Sequence, residues 1–570
     1  MKNEIQKFFK GDVLDDSETL VKYSRDASLL EVLPTLVVFP KDKEDVKNLV
    51  RWVNANKEKH PELSITARCA GTCMSGGAIG ESIILDFSKY MNRLVGGPLP
   101  LQGKSAWEIT VEPGMYYRDF EKLTLAKGVI LPCYTASKSL NAVGGMYGNN
   151  SAGERTLKYG KTEDYILEAK VIFADGNEYV VKPLSKAELE KKTKQGDFEG
   201  GVYKKIYDLI LANESEIAQA KPKVSKNSAG YYIWNVVDPE LVEGYFDLNK
   251  LLVGSQGTLG IATEITFKLL LEVKYSKLVA IFMNDLSPLG RLVDEALELN
   301  PETLEAYDDK TMQLAVKFFF DFLKNKGFFG MIKFMLSFLP EALIMLTSGF
   351  PKLIVLAEFA GDSEAEVNAK CLNLVEKIKH FKLKVHITRN QTEANKYWDI
   401  RRESFALLRK HVRGKHTAPF MDDIIVRPEF LPKFLPELNS ILGKYDIVYT
   451  IAGHAGDGNF HIIPLMDFSR TDTGKIIMEL GELVYDLVAK YHGSITAEHN
   501  DGLIRTPYLY KMYEPHILQI FAEIKKIFDP TNIFNPGKKV PTGESNQNLP
   551  GTKEYIAKHV AVEHKVVHKV

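Results

Sequence analysis

From about Pro34 onward, short apolar runs alternate with segments whose apolar positions recur every three to four residues. Leu36-Val37-Val38-Phe39-Pro40 and Leu63-Ser64-Ile65-Thr66-Ala67 predict strands, and Glu44 to Ala55 between them predicts an amphipathic helix. Further strands are expected at Trp107 to Val111, Ile166 to Phe173, Leu251-Leu252-Val253 and Ile261 to Leu271, where this block ends. From about residue 273 the pattern restarts, with strands at Leu278 to Met283 and Leu353 to Glu358 and an amphipathic helix from Glu364 to His380. Phe528-Asp529-Pro530 stops a late helix, and the chain to Gly537 is expected to return as an extended strap. Beyond Thr542 the polar composition predicts a poorly ordered tail. The reading is α+β, with an N-terminal segment 1–33, a first domain 34–272, a second α+β domain 273–500, a helix and strap 501–540 and a tail 541–570.

Composition narrows the class. A chain of 570 residues is too long for one core, and 45% hydrophobic with 26% charged residues is ordinary for a globular protein. Lys+Arg 73 against Asp+Glu 74 gives a net charge of −1, without the basic excess of a nucleic-acid binder. Cys69, Cys73, Cys133 and Cys371 make neither a disulfide framework nor an iron–sulfur or zinc spacing, so a reducing compartment is expected. The start, Met1-Lys2-Asn3-Glu4-Ile5, lacks a signal peptide's apolar core, and the expected location is the cytoplasm.

The most specific chemistry lies in Gly453-His454-Ala455-Gly456-Asp457-Gly458-Asn459-Phe460-His461, followed by Glu498-His499-Asn500. His454 and His461 would face opposite sides of one straight strand, but the turn signal between them lets both rings converge. With Glu498 they form the donor set of a divalent metal, and His499 beside it is a general base. Mixed nitrogen and oxygen donors suit Zn, Mn or Fe(II). Asn459 and Asn500 are candidate hydrogen-bonders to ligand or substrate, and Asp422-Asp423 reads as structural. Three glycine- and hydroxyl-rich loops complete the pattern: Arg68 to Gly77, Tyr134 to Gly153, and Gly254 to Ile261. None is a P-loop or a Rossmann turn, yet together they suit a long ligand with a pyrophosphate and a planar ring system.

In order and spacing, these loops resemble the FAD-binding domain of the vanillyl-alcohol-oxidase (PCMH-type) flavoenzymes, and Asn535-Pro536-Gly537-Lys538 resembles that family's closing strap. With the His motif and Ala-Glu-His-Asn, the resemblance narrows to the D-lactate, glycolate and D-2-hydroxyglutarate dehydrogenase branch, the FAD-linked D-lactate dehydrogenases above all. It covers about residues 20 to 540 and implies a two-lobed FAD domain, a substrate cap over 273–500 and a strap returning to FAD. It further implies pyrophosphate contacts from Arg68, Cys69, Ala70, Gly71, Thr72 and Ser75. Flavin and ribityl contacts would come from Thr135, Ser137, Gly145, Asn150, Ser151 and Gly153, with Gly257, Ile261 and Asn535 also on the cofactor. Gln256 stands where the family usually has Glu, and Cys69-Ala70 where a Gly is commoner; the first loop has no His, so noncovalent FAD is expected.

The implied reaction is FAD-dependent oxidation of a D-2-hydroxy acid, with D-lactate favoured and glycolate or D-2-hydroxyglutarate as alternatives. Arg401, in Trp398-Asp399-Ile400-Arg401-Arg402, offers a fork for the substrate carboxylate, while Arg402 reads as a solvated helix face and Lys415 and His416 as lesser cations. Without cluster cysteines, electrons must leave to an external acceptor: a quinone, a cytochrome or an electron-transfer protein. A non-redox ether-lipid synthase on the same fold is opposed by Glu498-His499-Asn500 and by the lack of an obvious phosphate-binding Lys/Arg cluster, and a silent flavin subunit of a larger electron-transfer complex by the complete set His454, His461, Glu498 and His499. Finally, segment 318–350 interleaves Phe318-Phe319-Phe320, Phe328-Phe329 and Phe334 with Lys324, Lys326 and Lys333, too broken to span a bilayer. It reads either as a helical pair on the core or as a peripheral contact with the inner membrane face.

Overall fold

The computed structural model describes residues 1–238, 245–317, 349–411, 414–542 and 548–560. The aromatic stretch 318–348, and with it the membrane-contact expectation, lies outside the described residues. Among the described residues no helix is long and apolar enough to cross a membrane.

Three sheets organise the chain. The first contains β1 (Asp12–Leu14), β2 (Leu36–Phe39), β3 (Ile65–Arg68) and β4 (Ile83–Asp86) in the order β1-β2-β4-β3, parallel except for β1. The helix Lys43–Asn56 covers it with Val46, Leu49, Val50 and Val53, the spacing of one helix face. Asp42 starts that helix by accepting from the Glu44 and Asp45 amides.

The second sheet is built from β5 (Leu94–Pro100), β6 (Trp107–Val111), β7 (Val129–Ile130), β8 (Ile166–Ile172), β9 (Glu178–Val181) and β10 (Ile261–Leu271). Its order is β5-β6-β10-β8-β9, with β7 also on β10. Ile261, Thr263, Ile265, Phe267 and Leu269 of β10 all turn inward, the period of two that a half-buried strand demands.

The third sheet carries the cap: β11 (Tyr275–Met283), β12 (Thr303–Asp308), β13 (Leu353–Gly361), β14 (Lys384–Ile387), then, past the short β15 (His416–Thr417), β16 (Ile424–Ile425), β17 (Ile451–His454) and β18 (Asn459–Ile462). Its antiparallel order is β14-β11-β13-β12-β17-β18-β16. Helix Glu364–Lys377 packs on it through Val367, Cys371 and Leu374.

Two expectations need correction. Leu251-Leu252-Val253 is not a strand but the end of a short helix, Asn249–Leu252, because a fully apolar triplet says "buried" without saying how. The supposedly disordered tail contains a helix, Lys553–His559, capped by Thr552 and anchored by buried Tyr555 and Ile556, with Val560 bridging to Leu30.

Candidate active site

The hairpin of β17 and β18 puts the two motif histidines on one face. His454 pairs with Asn459 and His461 with Ala452, so the imidazoles stand on adjacent strands, one step diagonally apart. The turn needs Gly458: its φ is +74°, and a Cβ there would strike the Val426 carbonyl at 1.8 Å. Strand β12 lies against β17 and contributes Glu305, whose Oε1 accepts from His454 Nδ1 at 2.5 Å. The proton on Nδ1 leaves Nε2 facing the site. There His454 Nε2 is 3.2 Å from Glu498 Oε1, His461 Nε2 is 3.3 Å from the same oxygen, and the two Nε2 atoms are 3.4 Å apart.

Four residues to which the motif reading gave no part in the chemistry frame this triangle. Asp422, read as merely structural, lies between two imidazoles, 3.3 Å from His461 Nδ1 and 2.7 Å from His499 Nδ1. Burial opposes its charge, but His499 and His461 hold its carboxylate well below the usual range. Asp423 does serve structure: it accepts from the Glu498 and His499 amides at 2.8 and 2.7 Å, fixing the loop that carries both. Lys226, 1% exposed, bridges Asp457 at 3.0 Å and Glu498 Oε2 at 3.3 Å; burial works against the ammonium, but the two carboxylates hold it firmly charged. Burial likewise opposes a charged His454 and a charged His499, yet Glu305 and the Asp423–Asp422 pair hold each at about 9. Glu305, Asp422 and Lys226 are remote in sequence from their partners, and no local spacing marks them.

A cavity of about 470 Å³ joins this triangle to the glycine loops. Of the residues expected on the cofactor, Arg68, Cys69, Ala70, Gly71, Thr72, Thr135, Ser137, Gly145, Ser151, Gly153, Gly257 and Ile261 line it, together with His454, His461, Glu498 and His499. Three others do not line it and instead brace its walls. Ser75 donates to the His499 carbonyl at 3.2 Å. Asn150 accepts from the Glu163 amide at 3.0 Å, and Asn535 donates to the Gly77 and Gln256 carbonyls at 2.9 and 2.7 Å. Asn500 is another brace: its amide donates to the Gly254 and Asn149 carbonyls at 2.8 and 3.2 Å, which spends its donors away from the cavity.

The cations are also redistributed. Arg401 lines the cavity and pairs with Glu305 Oε2 at 3.0 Å, so one carboxylate links it to His454. Arg402 is exposed, as expected, but it also borders the same cavity and pairs with Glu154 at 2.5 Å. Lys415 lies elsewhere, beside Asp446 at 3.3 Å in a separate small depression, because its position just before β15 turns it from the hairpin.

Two family models match in tandem: an FAD binding domain over residues 34–182, and the C-terminal domain of FAD linked oxidases over 273–539. The chain belongs to the PCMH-type FAD-linked oxidases. Among curated relatives it is 26% identical over 543 residues to D-2-hydroxyglutarate dehydrogenase of Escherichia coli, covering 94% of this chain and 51% of the relative. It is also 26% identical over 531 residues to glycolate oxidase subunit GlcD of Bacillus subtilis, covering 92% and 93%. The chain thus spans about half the length of several D-2-hydroxyglutarate dehydrogenases it matches. Its fold is that of 4-ethylphenol oxidase from Gulosibacter chungangensis, with a TM-score of 0.65, 16% identity and coverage of 95% and 97% of the two chains. Alkyldihydroxyacetonephosphate synthase shares the fold at a TM-score of 0.61 and 15% identity, covering 94% and 84%.

The residues of this FAD-linked oxidase fit both groups the family implies. For FAD, a Cβ on Gly145, which lines the cavity, would meet nothing within 4 Å, so the second loop leaves open space there. For a metal, the donor separations match the edge of a tetrahedron with bonds of about 2.0–2.1 Å, roughly 3.4 Å. Asp423, His461, Glu498 and His499 also bring donor atoms within 4.8 Å of one another. The Asp423 carboxylate is already engaged by two backbone amides, which favours His454 as the third ligand beside His461 and Glu498.

Proposed function

We propose that this chain oxidises a 2-hydroxy acid to the 2-oxo acid and delivers the electrons to an external acceptor. The observation that carries the reading is the shared cavity, with His454, His461, Glu498 and His499 at one end and three glycine loops at the other. Noncovalently bound FAD would supply the two-electron acceptor, and a Zn, Mn or Fe ion on His454, His461 and Glu498 would supply a Lewis acid. The remaining work falls to the protein. Arg401, held by Glu305 through Nε and Nη2, orients the substrate carboxylate with the guanidinium N–H groups that remain. His499 is oriented by Asp422 at Nδ1, which leaves Nε2 as the base for the hydroxyl proton. With a cation held on His454, His461 and Glu498, protonation of His499 would be opposed and its Nε2 left free to accept the proton.

The relatives' names support D-2-hydroxyglutarate and glycolate over the D-lactate expected from sequence. Two guanidiniums at one cavity, Arg401 and Arg402, suit a dicarboxylate, which favours D-2-hydroxyglutarate. The acceptor we propose is a quinone, a cytochrome or an electron-transfer protein. The test is anaerobic dye reduction with D-2-hydroxyglutarate, glycolate and D-lactate. D-2-Hydroxyglutarate is expected to give the highest kcat/KM; a higher value for D-lactate would reverse the substrate assignment, and no reduction by any of the three would remove the activity.

A further inference from the structure

We propose that Lys226 is a positioning residue that keeps Glu498 a one-oxygen ligand and so holds a coordination position open for substrate; this rests on the metal site of the proposed function. The two oxygens of Glu498 face different groups. Both candidate ligand imidazoles approach Oε1, at 3.2 and 3.3 Å, while Lys226 Nζ holds Oε2 at 3.3 Å. An unrestrained carboxylate can chelate a cation through both oxygens and thereby occupy a second position. Here the second oxygen can reach the metal only if the ammonium gives it up, and an ammonium buried this deeply loses heavily when stripped of a partner.

The lysine is itself held in place. Its other contact is Asp457 Oδ2 at 3.0 Å, and Asp457 Oδ1 accepts from Ser225 Oγ at 2.6 Å. On the far side, Asn227 donates to the Tyr513 hydroxyl at 3.1 Å, and Ser228 Oγ accepts from the Asn500 amide at 3.2 Å. The run Ser225-Lys226-Asn227-Ser228 therefore ties the flavin half of the chain to a metal ligand of the cap, with the ammonium as its only charge.

Charge makes the role separable from simple structural support. Lys226 is a like charge near the metal, so removing it does not weaken attraction for the cation. A structural prop, in contrast, would release metal when removed. The experiment uses the full FAD-loaded chain with Co2+ as the spectroscopic probe. In Lys226→Met, Co2+ is expected to bind at least as tightly as in the unaltered chain. Its visible band should fall at least about threefold as Glu498 chelates and the geometry moves from tetrahedral toward octahedral. Lys226→Arg should restore the band. Lys226→Gln, which keeps a neutral donor beside Asp457, carries the same expectation should the Met variant not fold. Release of Co2+ from the variants, or an unchanged band with Co2+ bound, overturns the clamp alone. Failure of the unaltered chain to take up Co2+ overturns the metal reading and the clamp together.

Discussion

At the scale of single residues, His461 is the sharpest test of the metal triangle. It touches Glu498 and His454 through Nε2 and faces Asp422 through Nδ1, so its loss removes a donor and disturbs the carboxylate that orients His499. His461→Ala is expected to lower kcat by at least about two orders of magnitude, the usual size of Lewis-acid and general-base contributions, with FAD content unchanged. Full turnover in this variant, together with indifference to chelators, would remove the metal from the reaction. The histidines were legible in sequence because a tight turn brings near neighbours together, which spacing alone can reveal. Glu305 and Lys226 were not, since they meet His454 and Glu498 across 149 and 272 residues. Asn500 shows the reverse error: it sits beside the base in sequence, but its positive φ of 68° turns the amide into the wall, toward the Gly254 and Asn149 carbonyls.

Among the elements, the returning strap makes the most demanding claim. Phe534 bridges to Ile65 as though extending the first sheet, and Asn535 then joins three parts of the flavin half. Its Oδ1 accepts from Thr66 Oγ1 at 3.0 Å, while its amide serves the Gly77 and Gln256 carbonyls. Asn535 also has a φ of +41°, a region Asn tolerates better than Ala. Asn535→Ala leaves these buried groups unpaired and adds backbone strain, together about 2–4 kcal/mol. The expected outcome is a lower Tm and faster FAD loss on dilution, read by flavin fluorescence; unchanged values for both would show that the strap does not secure the loops. Elements with a clear period, such as the inward-turned positions of β10 and the capped helix Lys43–Asn56, were readable because burial there follows geometry. Asn249–Leu252 and Lys553–His559 were hidden, one by uniform apolarity and the other by a polar composition that its two anchoring residues, Tyr555 and Ile556, outweigh.

For the whole molecule, the junction between flavin half and cap contributes its own pH-dependent part of the stability. Glu154 follows the second glycine loop, whereas Glu302 and Glu358 belong to the cap, and all three crowd around Arg155, with Arg402 paired to Glu154. Burial, then the charges of Glu302 and Glu154, push Glu358 from 4.5 to about 7. The folded chain therefore holds a proton that the unfolded chain releases. The resulting stabilisation is complete below pH 4.5 and is lost as pH rises through 7, amounting to at most about 3 kcal/mol. Glu358→Gln mimics the protonated form and keeps a polar group for Ser276, which bonds Glu358 at 3.1 Å. At pH 8.5 this variant should melt at least about 2 °C higher than the unaltered chain, and the difference should vanish near pH 5. An equal effect at both pH values would assign the change to packing. A lower melting point at pH 8.5 would mean that the charged Glu358 supports the junction through Arg155 and that the two halves are held together by that ion pair.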